Sequence, residues 1–226
     1  MQTSPKPKLL IFDVNGTLLN MDGIKTAINQ AYQHPGAFTQ WFSWLLQYSL
    51  VDTVTKTYHP FSEIAEAALQ MTAASLKVNV DAVFMQDILK SMQQLPPHPD
   101  ILTGLDLLKK AGYKMVTLTN SASAAQKKQL EFAQLNAYFE ETFSVDAVEL
   151  YKPHPKTYQY VLDELNFDPQ ETMLIAAHGW DVAGAARAGL QTAFIARDGQ
   201  ALYPLAKKPE FVCADLHELA VQLAAL

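Results

Sequence analysis

The chain has 226 residues, about one and a half times the length of a typical domain. Its apolar fraction of 49% excludes a disordered chain, and a net charge of −6 without a basic tract argues against nucleic-acid binding. The one cysteine, Cys213, excludes an internal disulfide. Asp13 interrupts the first apolar run, and no apolar stretch approaches the ~20 residues of a membrane span. We therefore expect a cytoplasmic protein without a signal peptide or a membrane segment.

Short apolar runs that end in polar residues recur along the chain and predict buried strands of a parallel sheet. The predicted strands cover residues 8–13, 114–119, 172–176, 192–196 and 210–213. Helical patterns follow them at residues 101–110, 123–135, 156–165, 182–188 and 216–225. This alternation predicts an α/β fold, a Rossmann-like parallel sheet core flanked by helices, with its chemistry beyond the carboxyl ends of the strands.

Residues 21–94 interrupt the alternation, because they contain four helical patterns and no convincing strand. Three prolines in residues 96–99 then predict a rigid linker. We therefore expect an inserted helical cap subdomain at 21–94, on a catalytic core formed by 1–20 and 95–226. The helix around Trp41 and Phe42 is apolar on several faces. It is interpreted either as buried or dimer-forming, or as the wall of a dry pocket.

Asp13 is the first candidate for chemistry, because a carboxylate at the end of a buried strand is costly unless it is used there. Gly16 and Thr17 allow a tight turn whose N–H groups and hydroxyl favour an anion. Asp13 is therefore interpreted as a covalent nucleophile, with a simple turn-capping role as the alternative.

Three later features support the nucleophile. Thr119 and Asn120 follow the second strand and offer side-chain donors to the same anion. Lys152 lies in a proline-bordered loop, where it keeps Asp13 ionised if the two side chains meet, or is a solvated surface lysine if they do not. Asp181 follows the fourth strand as a second carboxylate, able to bind a cation or to hold Lys152.

Together these residues resemble the four-motif pattern of the haloacid dehalogenase superfamily. The motifs are residues 13–18, Thr119-Asn120, Lys152-Pro153 and Asp181 before a glycine-containing helix. The resemblance covers nearly the whole chain. It implies a Rossmann-like sheet with a cap and a nucleophilic Asp13.

The branch of the superfamily is indicated by Asn15, which stands where its phosphatases have an acidic residue that serves as general acid. An amide cannot replace that acid, and Asp181 is the only carboxylate in the fourth motif, which weakens a Mg²⁺ site. The Tyr151–Tyr158 run and Trp180 resemble instead the L-2-haloacid dehalogenases (type II).

This closer resemblance implies a hydrolase acting on carbon–halide bonds, which converts short L-2-haloacids to D-2-hydroxy acids without a cofactor or metal. Asp13 displaces the halide, and water then hydrolyses the aspartyl ester. The expected catalytic residues are Asp13, Thr17, Lys152, His178 and Asp181. The expected substrate-binding residues are Val14, Asn15, Leu46, Phe61, Thr119, Asn120, Tyr158 and Trp180.

Two positions depart from the pattern. Phe42 stands where many relatives have an arginine that attracts the halide, so Trp41, Phe42 and Asn120 are the expected halide contacts. His178 stands where many relatives have Asn. It is interpreted as the base for the hydrolytic water or as an uninvolved loop residue. In similar subgroups such a histidine is often paired with an acidic residue just before the threonine of the first motif. Gly16 stands at that position here.

The expected partners are a small 2-haloacid and, by the same resemblance, a second copy of the chain in a homodimer, with no nucleic acid and no membrane. Two alternatives stay open. One is a Mg²⁺-dependent phosphatase or phosphate-ester hydrolase of the same superfamily. The other is a non-catalytic member that uses its aromatic cap to bind a partner.

Overall fold

The computed structural model describes residues 5–226, in which one six-stranded parallel sheet forms the centre. The strands are Leu9–Phe12 (β1), Lys114–Thr119 (β2), Glu141–Ser144 (β3), Thr172–Ala176 (β4), Gln191–Ile195 (β5) and Phe211–Cys213 (β6). Their order is β3-β2-β1-β4-β5-β6. The predicted α/β fold is confirmed. The sequence analysis predicts no strand at β3, which lies at the edge of the sheet.

Nine α-helices accompany the sheet within residues 5–226. They are Asp22–Ala31 (α1), Ala37–Thr55 (α2), Phe61–Leu76 (α3), Ala82–Ser91 (α4), Ile101–Lys110 (α5), Ser123–Phe132 (α6), Pro155–Leu165 (α7), Gly179–Arg187 (α8) and Leu216–Ala224 (α9). Each of the nine helical patterns in the sequence corresponds to one of these helices.

The sheet order places the start of the chain at its centre. All four residues of β1 are fully buried, and β1 pairs with β2 on one side and β4 on the other. The chain crosses to opposite sides of β1 before β2 and β4, so a crevice opens between β1 and β4 at their carboxyl ends. Asp13 follows β1 there, and its backbone N–H donates to Ile175 O in β4 (3.1 Å).

Helices α1–α4 lie between β1 and α5 and contain no strand of the sheet. The two segments that lead into and out of them pair in antiparallel fashion at Leu19 and Pro97. Asn20 N–H donates to Pro96 O (2.8 Å), and His98 N–H donates to Leu18 O (3.0 Å). The proline-rich segment is therefore hydrogen-bonded to the end of the loop that follows Asp13.

Helix α2 buries one stripe and exposes another. Its buried positions recur every four residues, as expected for one face of a helix: Ala37, Trp41, Leu45, Ser49 and Thr53. The hydroxyls of Ser49 and Thr53 donate to the carbonyls one turn earlier, at 2.7 and 2.9 Å, so this face carries no unpaired hydroxyl. On another side, Val54 is 79% exposed.

In the part of the chain that the structure describes, no helix combines the length and apolar character that crossing a membrane requires.

Candidate active site

Asp13 lies at the centre of a buried hydrogen-bond network at the crevice. Its Oδ1 accepts from Lys152 Nζ (2.7 Å), and its Oδ2 accepts from the Thr17 hydroxyl (2.6 Å). The Thr17 hydroxyl in turn accepts from the backbone N–H of Ala177, in the loop after β4 (2.9 Å). Asp13 is 5% exposed, so both oxygens are fixed in position by these partners.

Lys152 is shared between two carboxylates. Its Nζ donates to Asp13 Oδ1, to Asp181 Oδ2 (2.7 Å) and to Leu118 O at the end of β2 (3.0 Å). These three bonds use all three protons of the ammonium group. The hydroxyl of Tyr158, on α7, donates to the second oxygen of Asp181 (2.5 Å). Lys152 is 2% exposed, so it is not the solvated surface lysine of the alternative interpretation.

The pKa values in this network shift in different directions. Burial raises the pKa of Asp13, but the Lys152 ammonium, the neighbouring His178 and the hydrogen bond from Thr17 together outweigh burial and hold that pKa below its usual value. Burial, with the nearby charge of Asp13, raises the pKa of Asp181 although Lys152 opposes this. Burial lowers the pKa of Lys152, and its two carboxylate partners more than reverse that effect. Asp13 is therefore held ionised, which nucleophilic attack requires.

The turn after Asp13 leaves donors free. Gly16 has φ +79°, a conformation that few residues other than glycine adopt. The turn closes through Leu19 N–H to Val14 O (3.0 Å). Neither the Val14 nor the Asn15 backbone N–H donates to a backbone acceptor among residues 5–226. Both remain available for an anion, as expected for a substrate carboxylate.

The loop after β2 supplies a second donor of fixed orientation. The backbone N–H of Lys152 donates to Asn120 Oδ1 (2.9 Å). Because that N–H can only donate, the oxygen of the Asn120 amide faces it, and the Nδ2 group is left for a ligand. Thr119 Oγ1 accepts from Ser121 N–H (3.1 Å), which leaves the Thr119 hydroxyl proton for a ligand as well.

These groups surround a small cavity of about 20 Å³, room for about one water molecule. Polar and apolar side chains line it: Asp13, Asn15, Phe42, Leu45, Leu46, Phe61, Met92, Thr119, Asn120, Lys152, His178 and Trp180. Of the twelve, Phe42, Leu45, Leu46, Phe61 and Met92 come from residues 21–94. An outer cleft of about 440 Å³ lies beside the cavity, and Phe42 and His178 line both spaces.

His178 lies between aromatic rings and two acceptors. Its ring stacks on Trp180 (centroids 5.4 Å apart, 13° between planes) and is 5.7 Å from the ring of Phe42. Nε2 is 3.0 Å from Asn15 O and 3.8 Å from Asp13 Oδ2. Nδ1 is 3.2 Å from Gln200 Oε1. The ring thus lies beside Asp13, and its other nitrogen faces a glutamine instead of a carboxylate.

Gly16 provides the space that His178 occupies. A Cβ atom at position 16 would lie 3.0 Å from His178 Nε2 and 3.1 Å from Cε1. Any side chain at position 16 would therefore meet the imidazole. The resemblance associates position 16 with an acidic partner for the histidine. Here that space is occupied by the imidazole of His178.

Two expected contacts need correction. Trp41 does not line the cavity, since it is fully buried and its indole N–H donates to Ala65 O (3.0 Å). Tyr158 does not line it either, because its hydroxyl is directed to Asp181. Val14 needs no correction, because its expected contact is the backbone N–H; its side chain is fully buried outside the cavity. The other predicted residues either line the cavity or, like Thr17 and Asp181, hold residues that do.

Sequence reasoning did not identify several residues of the site. Leu45 and Met92 line the cavity, Gln200 contacts His178, and Gln129 contacts Asn15. A four-residue spacing from Trp41 identifies Leu45 as part of the same stripe. No local sequence signal marks the two glutamines, because their contacts join distant parts of the chain.

The fold and the site define a Rossmann-like protein with a buried, lysine-paired aspartate at the switch point of its sheet. The family model of haloacid dehalogenase-like hydrolases matches residues 7–189, and the chain belongs to this family. The (S)-2-haloacid dehalogenase of Xanthobacter autotrophicus is 32% identical over 195 residues, 85% of this chain and 76% of the relative. The (S)-2-haloacid dehalogenase 4A of Burkholderia cepacia is 27% identical, with 96% and 91% covered.

A solved structure is similar over almost the whole chain. It is the L-2-haloacid dehalogenase from Xanthobacter autotrophicus with chloropropionic acid covalently bound. It matches with a TM-score of 0.88 and 26% identity, covering 97% of this chain and 99% of that one. The predicted membership of the haloacid dehalogenase superfamily is confirmed.

Proposed function

We propose that this protein hydrolyses short L-2-haloacids to D-2-hydroxy acids through an ester on Asp13, without a metal or cofactor. The observation that carries the proposal is the ionised, lysine-paired Asp13 in a largely apolar cavity, with Asn15 at the position of the phosphatase general acid. The names of the Xanthobacter and Burkholderia relatives, and the covalently bound chloropropionic acid in the former, support the same chemistry.

In the first half-reaction, a carboxylate oxygen of Asp13 attacks the halogen-bearing carbon from the side opposite the halogen. The new C–O bond forms as the carbon–halogen bond breaks, the halide leaves with the bonding electrons, and the configuration inverts. The substrate carboxylate binds to Thr119 and to the backbone N–H groups of Val14 and Asn15. Apolar walls keep water from Asp13, which strengthens its interaction with the reacting carbon.

In the second half-reaction, water attacks the carbonyl carbon of the Asp13 ester and His178 accepts its proton. The ring is in reach of this position, with Nε2 3.8 Å from Asp13 Oδ2. The step requires the neutral tautomer that carries its proton on Nδ1, toward Gln200 Oε1, so that Nε2 has the free lone pair. Once protonated, both ring nitrogens are donors, and both face acceptors, Asn15 O and Gln200 Oε1. Each N–H group of the imidazolium formed by the proton transfer therefore has an acceptor. Collapse of the intermediate breaks the bond between the Asp13 carbonyl carbon and the substrate oxygen. The leaving alkoxide takes the proton back from His178 to give the hydroxy acid, and the Asp13 carboxyl group releases its proton to solvent and is again the carboxylate.

The halide leaves without an arginine from residues 21–94, because none exists in that segment. Two residues that line the cavity offer groups that attract an anion: Asn120 through Nδ2, and Phe42 through the electropositive edge of its ring. The ring of Phe42 is held by stacking on Phe38 (centroids 5.9 Å apart, 5° between planes). We propose these two residues as the halide contacts, in place of the charged group of relatives.

We further propose that residues 21–94 act as a cap on a core of residues 1–20 and 95–226, because five side chains of that segment line the cavity. A homodimer is supported by the exposed apolar side chains of α2, among them Leu50, Val51 and Val54. The single buried cysteine, Cys213, fits a reducing cytoplasmic location. Sedimentation of the purified chain tests the dimer.

The geometry gives less support to a phosphate-ester hydrolase. Asn15 has no acidic proton to donate to a leaving alcohol. Asp181 is already bonded to Lys152 and Tyr158, which leaves its oxygens little capacity for a cation. Among residues 5–226, no group of three or more His, Cys, Asp or Glu is arranged to hold a metal ion.

The test is halide release from each enantiomer of 2-bromopropanoate, measured with and without EDTA. We expect turnover of the L enantiomer, D-lactate as product and no effect of EDTA. Asp13→Asn is the matched control and is expected to be inactive, because the amide oxygen does not displace the halide. Absence of turnover across short haloacids, or EDTA-sensitive phosphate release from phosphate esters, would overturn the proposal.

A further inference from the structure

Gln129 is a buried side chain of α6 that connects three separate parts of the site. It is 1% exposed. Its Nε2 donates to Asn15 Oδ1 (2.9 Å), in the nucleophile loop, and to Met92 O (2.7 Å), just after α4. Asn15 Nδ2 donates in turn to the hydroxyl oxygen of Ser121 (2.9 Å). A chain of hydrogen bonds therefore runs from Met92 through Gln129 and Asn15 to the loop after β2.

The direction of this chain follows from one fixed group. Met92 O is a backbone carbonyl and can only accept, so the nitrogen of the Gln129 amide must face it. That same nitrogen faces Asn15, so the Asn15 atom opposite it must be the acceptor Oδ1. The Asn15 amide is thereby held with Nδ2 on its other side, where one proton goes to Ser121 and one is left for a ligand.

Asn15 lines the small cavity, and the expected substrate is an anion. An Asn with its nitrogen toward an anion attracts it, whereas an Asn rotated by 180° presents its oxygen and repels it. In isolation the two orientations are nearly equivalent in shape, so the sign of the contact depends on what holds the amide. The Asn120 amide is oriented by a backbone N–H, whereas the orientation of the Asn15 amide is fixed by Gln129.

Resting on the proposed function, we propose that Gln129 is a positioning residue that fixes the Asn15 amide as a donor to the substrate carboxylate. Gln129 itself lies outside the set of residues that line the cavity and acts through Asn15. It also connects this donor to the end of α4, so the orientation of Asn15 depends on the position of the segment that covers the cavity.

Gln126 provides a matched control on the same helix. It is equally buried at 1% exposure, and its Nε2 also donates a buried hydrogen bond, to Thr117 Oγ1 (2.7 Å). In both glutamines Oε1 is buried without a partner among the described residues. Thr117 is a strand residue and does not line the cavity. Replacing Gln126 removes one hydrogen bond of a buried amide and replacing Gln129 removes two, but only Gln129 contacts the site.

The experiment compares Gln129→Met with Gln126→Met, since Met keeps the length and flexibility of Gln without its amide. Two quantities are measured: the Kd of propanoate by calorimetry and the KM for L-2-bromopropanoate. We expect Gln129→Met to raise both about tenfold, the size of a weakened hydrogen bond to a charged group, with a smaller change in kcat. Gln126→Met is expected to leave both within about twofold of wild type. It is also expected to lower Tm, by less than Gln129→Met does, because it removes one hydrogen bond and not two.

A double-mutant cycle with Asn15→Ala tests whether Gln129 acts through Asn15. Gln129→Met is expected to add no further rise in Kd once Asn15 is replaced, because the two changes remove the same donor. Should Gln129→Met fail to fold, Asn15→Ala alone must still raise the propanoate Kd about tenfold. Additive effects, equal effects of the two Met variants, or a wild-type protein that does not bind propanoate would overturn the proposal.

Propanoate has no halogen, so its binding is measured independently of dehalogenation. Loss of propanoate binding in Gln129→Met together with no halide release from the wild type would refute the proposed function and leave the positioning role supported. Halide release with unchanged propanoate binding in Gln129→Met would refute the positioning role and leave the proposed function intact.

Discussion

Replacing Lys152 with Met is the most direct test of the buried charge network. The variant keeps most of the side-chain volume but leaves Asp13 and Asp181 without their shared cation. Removing one partner of a buried ion pair costs about 3–5 kcal/mol. For a chain of this length, each kcal/mol lowers Tm by about 2–4 °C, so we expect a decrease of roughly 6–20 °C at pH 7. Lys156→Met removes the same charge from an exposed position nearby and is expected to change Tm little.

The pH dependence distinguishes lost charge pairing from lost packing. In the wild type, the lowered pKa of Asp13 adds stability above its unfolded value, and this stability is lost as pH falls through the folded value. In Lys152→Met, burial acts without the opposing ammonium and raises the pKa of Asp13, so ionisation opposes folding as pH rises. The deficit is therefore largest near pH 7 and shrinks toward pH 4. Thermal unfolding followed by circular dichroism at both values measures it, and a deficit that is equal at the two would refute the electrostatic reasoning.

Two further predictions concern His178. His178→Ala is expected to form the Asp13 ester from L-2-bromopropanoate and to accumulate it, detected as a mass increase on the peptide that contains Asp13. The control His98→Ala, in the outer cleft, is expected to accumulate none. No adduct in His178→Ala would argue against the role of His178 as the base of the second step. Gly16→Ala is expected to destabilise the protein by more than about 1 kcal/mol, because position 16 has φ +79° and the new Cβ meets His178 Nε2. Urea unfolding of Gly16→Ala, His178→Ala and the double variant measures this, with less than additive destabilisation expected and full additivity contradicting the steric conflict.

The central strands and the main charged residues of the site could be predicted because local sequence encodes both. A run of four apolar residues ending in Asp13 indicates a buried strand and a carboxylate at its end. Strand β3 lacks such a run, since its first two residues, Glu141 and Thr142, are exposed at the edge of the sheet. Nothing in its four residues distinguishes it from a loop, and only its pairing with β2 defines it.

The remaining residues of the site could not be predicted, because their positions depend on contacts between residues that are distant in the sequence. Gln129 and Asn15 are 114 positions apart, and no periodicity relates them. Trp41 and Phe42 are adjacent, yet only Phe42 lines the cavity, because successive residues of a helix point about 100° apart. Helix α2 is apolar on several sides, so its sequence does not indicate which of the two faces inward. The expectation for Trp41 failed for that reason.

The sharing of Lys152 between Asp13 and Asp181 has a consequence for the timing of turnover. In the resting site, two carboxylates face one ammonium, an excess of one negative charge in a dry environment. Esterification of Asp13 removes one of those charges, and Lys152 and Asp181 then form a balanced pair. Hydrolysis must restore the excess. The covalent state is thus the electrostatically relaxed form of this site, and we expect a rapid burst of halide followed by a slower steady release of hydroxy acid.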